Sequence, residues 1–121
     1  MRYTVFIRTT DAAGEPDGGR ELQVTIDGAA APKVGEILYF ASEDAQLEVA
    51  VSRVEHWFYP EDDGEPYYTR VITADAGPDQ HKLMQKLRND DEATRWAAQY
   101  PLVDGAEPML SPEEWASRRT V

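Results

Sequence analysis

His56 is the first residue to ask about chemistry. It directly follows Glu55 and stands four positions after Ser52 in Ser52-Arg53-Val54-Glu55-His56. A serine, a histidine and a carboxylate are the parts of a nucleophilic relay, in which the imidazole takes the hydroxyl proton and the acid orients the ring. The spacing works against that role. Neighbouring side chains on an extended chain point to opposite faces, so Glu55 is directed away from His56. His56 shares the parity of Val54 and Phe58, which suits a hydrogen-bonded strand residue better than a general base. The other histidine, His81, falls in the first turn of a helical segment and is expected at the surface. The chain has no cysteine, which removes thiol catalysis, disulfides and zinc–cysteine sites together. No nucleophile-elbow, zincin, Walker A or dinucleotide-binding pattern occurs. A pair of carboxylates working as acid and base stays open, because their separation is not set by position in the chain.

A metal is the next chemistry to test. Asp62, Asp63 and Glu65 offer hard oxygens, but read from Asp62 they miss the alternate-position ligands and the twelfth-position glutamate of a calcium loop. No catalytic, metal or cofactor residue is assigned, and a non-catalytic protein is expected.

The same stretch carries another kind of chemistry. Trp57-Phe58-Tyr59 and Tyr67-Tyr68 flank Pro60-Glu61-Asp62-Asp63-Gly64-Glu65-Pro66. As a hairpin, the aromatics pair across the strands and Asp63-Gly64 turns the tip. Consecutive aromatics on a strand cannot share one face, so some must point outward unless helices lie over them. C-terminal helices are the expected cover. Left uncovered, Trp57, Tyr59, Asp62, Asp63 and Tyr67 would form a protein-docking surface, and Trp115 is a further candidate in the tail.

Composition limits the partners. Twelve basic against 23 acidic residues give a net charge of −11. That disfavours direct binding to nucleic acid phosphates or to anionic membrane surfaces. Residues 1–77 hold 15 acids and 6 bases, so the acidic field is concentrated there. Two partners suit that field: a protein that docks on this chain, or a basic nucleic-acid-binding protein for which the acids imitate a polyanion. Many of the acids sit in residues 11–17 and 61–65, loop-like stretches that preorganise charge poorly. Self-association into a homo-oligomer is a third arrangement the sequence permits. No stretch reads as a signal peptide or bilayer span, so a soluble, cytoplasmic protein is expected.

The elements that position these residues follow from periodicity. Alternation predicts strands over Tyr3 to Thr9, with Tyr3, Val5 and Ile7 inward, and over Glu21 to Asp27, with Leu22, Val24 and Ile26 inward. Asp11 to Gly19 reads as a polar loop between them. Ile37-Leu38-Tyr39-Phe40 is a continuous apolar run, which suits a strand covered on both sides. From Gln46 to Tyr59 the apolar parity changes: Leu47, Val49 and Val51 share one phase, Val54, His56 and Phe58 the other. A strand changes parity only by gaining a residue, so a β-bulge is predicted near Ser52-Arg53. Residues 66–74 form the fifth predicted strand.

After Gly77-Pro78 the period becomes helical. Leu83, Met84 and Leu87 form one apolar stripe, and Ala93, Trp96, Ala97 and Tyr100 another. Asn89 and Glu92 stand at capping-box spacing between them, which allows one bent helix or two short ones over 78–100. Pro101 should end the helical run. Residues 101–121 read as a tail: a spacer from Val103 to Pro108, then a short helix around 112–119 started by Ser111-Pro112, with Trp115 docking on the body of its own chain.

These elements make one α+β domain of 121 residues: a small, strongly bent, five-stranded antiparallel sheet or partly open barrel, followed by helices. The runs PKVGEILYF, VAVSRVEHW and YYTRVITA resemble the strand grammar of small SH3-like barrels over about residues 20–75. That fold hosts many unrelated functions, so the resemblance carries none.

Overall fold

The computed structural model describes residues 2–10, 16–28, 30–42, 46–60, 66–74 and 80–109. The predicted tail helix and Trp115, the acidic tip with Asp62 and Asp63, the helix start at Pro78 and the side chain of His81 lie outside that description.

The described residues form a small α+β unit: a curled, half-barrel mixed sheet with two helices. In chain order the elements are β1 (Arg2–Thr10), β2 (Pro16–Asp27), β3 (Ile37–Ala41), β4 (Gln46–Phe58), β5 (Tyr67–Thr73), α1 (His81–Lys86), α2 (Asp90–Ala98) and β6 (Val103–Met109). The sheet order is β3-β4-β5-β1-β2-β6.

Four expectations need correction. The sheet has six strands among the described residues, not five, because Val103–Met109 pairs antiparallel with β2 instead of serving as a spacer. Gly105 and Pro108 hid this strand, since both are poor strand formers. Proline is tolerated here because β6 lies at the sheet edge. Nor is the sheet purely antiparallel: β5 runs parallel to β1, with Val5 beside Val71. Finally, Ile37 and Tyr39 are exposed, because β3 is the opposite edge strand and is not covered on both sides. In addition, β2 begins at Pro16, so the polar connection from β1 is shorter than the sequence suggests.

The inward faces of β1 and β2 are those read from the sequence, but β1 is buried on both faces, since Thr4 and Phe6 are covered as well. Tyr3, Val5 and Ile7 are buried against Leu22, Val24 and Ile26. The β-bulge is also present, as a register shift in the β4–β5 ladder between Val51 and Arg53. Ser52 occupies it and donates its hydroxyl to the Ile72 carbonyl at 3.0 Å. The extra residue keeps both halves of β4 on the core side: Leu47, Val49 and Val51 before it, Val54 opposite Val71 after it.

The start of β3 depends on Gly35. Glu36 N donates to Lys33 O, and Gly35 has φ +92°, as a type II turn requires at its third position. Gly35 N donates to Val51 O, and Val51 N to Glu36 O, which sets Phe40 inward opposite Leu47.

Two helices form, not one. Asn89 caps α2 by accepting from Asp91 N at 2.9 Å and Glu92 N at 3.1 Å. The cap follows α1 closely enough to break it from α2. Met84 and Leu87, from α1 and its C-cap, enter the core beside Ala93, Trp96 and Ala97 of α2. Near the start of β4, Gln80 bonds to both Glu48 N and Glu48 O, at 3.1 and 2.9 Å. Its amide thus occupies a strand edge that β5 is too short to reach.

Candidate functional site

Beyond the bulge β4 stays paired with β5, and past the Glu55–Arg70 pair, where the pairing of β5 with β1 ends, the two run on as a two-stranded ribbon. Phe58 pairs with Tyr67, Trp57 with Tyr68, His56 with Thr69, and Glu55 with Arg70. Tyr59 N still donates to Pro66 O, so the ribbon holds one step past β4. The helices pack elsewhere on the sheet and leave its end open. Trp57 is 41% exposed, Phe58 76%, Tyr59 42% and Tyr67 39%. The expected cover is not supplied by α1 or α2: α2 places its own aromatic, Trp96, against Phe40 near the other end of β4, and the predicted tail helix lies outside the described residues.

The ribbon end has two chemically distinct faces. The core-side face carries His56, Phe58, Tyr67 and Thr69. The His56 and Tyr67 rings stack 5.9 Å apart and nearly parallel, and His56 Nδ1 and the Tyr67 hydroxyl share a hydrogen bond. Thr69 donates its hydroxyl to Tyr67 at 2.9 Å. Phe58 leans on the same tyrosine, with ring centroids 5.1 Å apart. His56 is thus tied to a phenol, and its ring is exposed because the core has ended before it.

The outer face carries Glu55, Trp57, Tyr59 and Arg70, with Phe6 of β1 behind them. The Trp57 indole N–H donates to Glu55 at 3.1 Å. Glu55 also pairs with Arg53 at 2.8 Å and lies 3.7 Å from Arg70. Its carboxyl pKa is held below the usual carboxylate range, first by the indole hydrogen bond, against opposing desolvation, with the Arg53 and Arg70 charges adding to the effect. The Arg70 guanidinium lies 4.4 Å from the Phe6 ring centre and 5.6 Å from that of Trp57. Trp57 and Tyr59 stack at 6.3 Å with 17° between their planes.

Of the predicted docking residues, the structure brings Trp57 and Tyr59 together on one face and turns Tyr67 to the other. Asp62, Asp63 and Trp115 lie outside the described residues. Phe58, Glu55, Arg70 and Phe6 were not singled out as docking candidates. Parity places Glu55 with Trp57 and Tyr59, so that signal was available. Arg70 and Phe6 depend on a parallel β1–β5 pairing that no local pattern encodes.

One groove, about 450 Å³, is lined by residues including Gln23, Asp90, Thr94 and Glu107. Another, about 430 Å³, is lined by residues including Leu83, Lys86, Arg95 and Trp96. His56 lines neither. Among the described residues no group of three or more histidine, cysteine or acidic side chains is placed to hold a metal ion. Among the same residues, no helix is long and apolar enough to cross a membrane. No family model, curated protein or solved structure matches this chain.

Proposed function

We propose that this chain is a small non-catalytic module that docks another protein through the aromatic end of the β4–β5 ribbon. One observation carries the proposal: four large aromatics, Trp57, Phe58, Tyr59 and Tyr67, stand exposed together at one end of the sheet. Single exposed hydrophobic residues are ordinary, but two ring pairs, Trp57 with Tyr59 on one face and Phe58 with Tyr67 on the other, exposed at the same ribbon end with polar neighbours, suit an interaction surface. The rings are also held in place by stacking and by the Glu55, His56 and Thr69 hydrogen bonds. A surface already ordered loses less entropy when a partner arrives. An SH3-like form for residues 20–75 is part of the same proposal and bears on shape alone.

The test is retention of a partner from host lysate on immobilised protein, comparing the parent with Trp57→Ala at low and high salt. A partner that resists salt and is lost with Trp57→Ala supports docking at this end. A basic nucleic-acid-binding protein released by salt from both proteins would instead favour the polyanion-decoy alternative. Equal retention of a salt-resistant partner by both would move the contact away from the ribbon.

A further inference from the structure

The outer face of the ribbon is an unfinished alternation of rings and cation. Phe6, the Arg70 guanidinium, Trp57 and Tyr59 succeed one another at 4.4, 5.6 and 6.3 Å. The Phe6 end is closed: that ring is buried, with the Arg70 guanidinium over it. The Tyr59 end is exposed. Glu55 pairs with Arg53 at 2.8 Å and lies 3.7 Å from Arg70, so this trio keeps one positive charge, which the acidic field of the whole chain must outweigh to draw in a cation. Aromatic faces carry negative quadrupole density and attract cations. The chain adds long-range attraction of the same sign: net charge −11, with four acids among the five residues from Glu61 to Glu65 that follow Tyr59 and Pro60.

We propose that the docking partner presents an arginine, and that its guanidinium stacks on the exposed Tyr59–Trp57 pair as the next rung after Arg70. This rests on the docking proposal and specifies its chemistry. Arginine fits better than lysine because a planar, weakly hydrated guanidinium stacks on a ring, as Arg70 does over Phe6, whereas a compact ammonium retains its water. An acidic segment would meet repulsion from the whole chain, and an apolar one would use none of the charge.

The experiment uses the full chain and a short peptide of alternating glycine and arginine, with lysine and glutamate counterparts. Nuclear magnetic resonance follows the Trp57 indole N–H and the Tyr59 ring. The arginine peptide should shift both signals and bind roughly two- to five-fold more tightly than the lysine peptide, the span of an exposed cation–π contact. The glutamate peptide should shift neither. Tyr59→Leu keeps apolar area but removes the ring, and should reduce arginine binding roughly two- to five-fold with an unchanged unfolding midpoint. Equal binding of the arginine and lysine peptides would overturn the proposal, since charge alone would then explain the attraction. Undiminished arginine binding by Tyr59→Leu would do the same. If a lysate partner depends on Trp57 while the arginine peptide leaves both signals unmoved, the arginine inference falls and the docking proposal stands. If no partner depends on Trp57, the docking proposal itself falls.

Discussion

β4 has an aromatic cluster near each end, and the two have opposite fates. Near its start, Phe40 of β3, opposite Leu47, meets Trp96 at 5.3 Å and Tyr100 at 6.0 Å. At its finish, Trp57 stacks with Tyr59 on one face and Phe58 meets Tyr67 on the other, and all four are exposed. The residue types are the same. The difference is α2, which lies over the first cluster and not the second. Covering a large apolar side chain stabilises a fold by about 1.5–3 kcal/mol. Part of that is forgone at the four exposed positions, and the docking proposed above would recover it. Aromatic content therefore does not distinguish core from surface in this chain; cover does.

The strongest way to break the comparison is to empty the closed end. Trp96 is only 5% exposed and touches both Phe40 and Tyr100. Trp96→Ala should lower the unfolding free energy by about 3–5 kcal/mol, through lost burial and the cavity left behind. Denaturant unfolding measures it. A loss under about 1 kcal/mol would mean that α2 does not seal this end and that the two clusters are alike.

A smaller change at the same end acts through the helix that provides the cover. Asn89 accepts from two otherwise unpaired amides at the start of α2. Asn89→Ala should cost about 1 kcal/mol, and Asn89→Asp, which keeps an acceptor, should recover most of it. Equal losses for both variants would show that the cap is not what holds α2.

What was legible in the sequence follows the reach of each signal. Alternation along β1 and β2 identified Tyr3, Val5, Ile7, Leu22, Val24 and Ile26 as core; β2, with one buried face, writes its period directly into the chain, whereas β1 also buries Thr4 and Phe6 on its other face. The parity break at Ser52-Arg53 located the bulge for the same reason. Asn89 and Glu92 marked a helix start by local hydrogen-bonding chemistry. Pairings that depend on distant segments were not legible. Val103–Met109 contains a glycine and a proline and becomes a strand only because β2 offers it an open edge. The parallel β1–β5 pairing, which brings Phe6 under Arg70, has no local signature. The candidate site divides along the same line. Trp57, Tyr59 and Tyr67 could be named from type and position, but whether helices covered them depended on where α2 docks.

At the open end the expected effects on stability are smaller and those on binding larger. Trp57 is partly exposed and gives up mainly its stacking on Tyr59 and its bond to Glu55. Trp57→Ala should change the unfolding free energy by about 1 kcal/mol or less, yet abolish partner retention. Calorimetry and the retention assay, run on the same preparation, report the two quantities separately. A loss as large as that of Trp96→Ala would make Trp57 a core residue and remove the contrast between the ends.

The smallest effect concerns how the outer face is held in shape, and it carries a sign. Glu55 has a lowered carboxyl pKa in the fold, chiefly because the Trp57 indole donates to its ionised form. A group whose folded pKa lies below its unfolded value stabilises the fold fully above the unfolded value, here 4.5. That contribution fades as pH falls from there through the folded pKa. Glu55→Gln cannot ionise, so the stability gap between parent and variant should be widest near neutral pH and should narrow below about pH 4.5. The Trp57 indole signal should move over the same interval in the parent and stay still in the variant. A gap that is constant through acid pH would show that Glu55 is held by packing rather than by charge. The Arg53–Glu55–Arg70 group would then not be what orders the rings for docking.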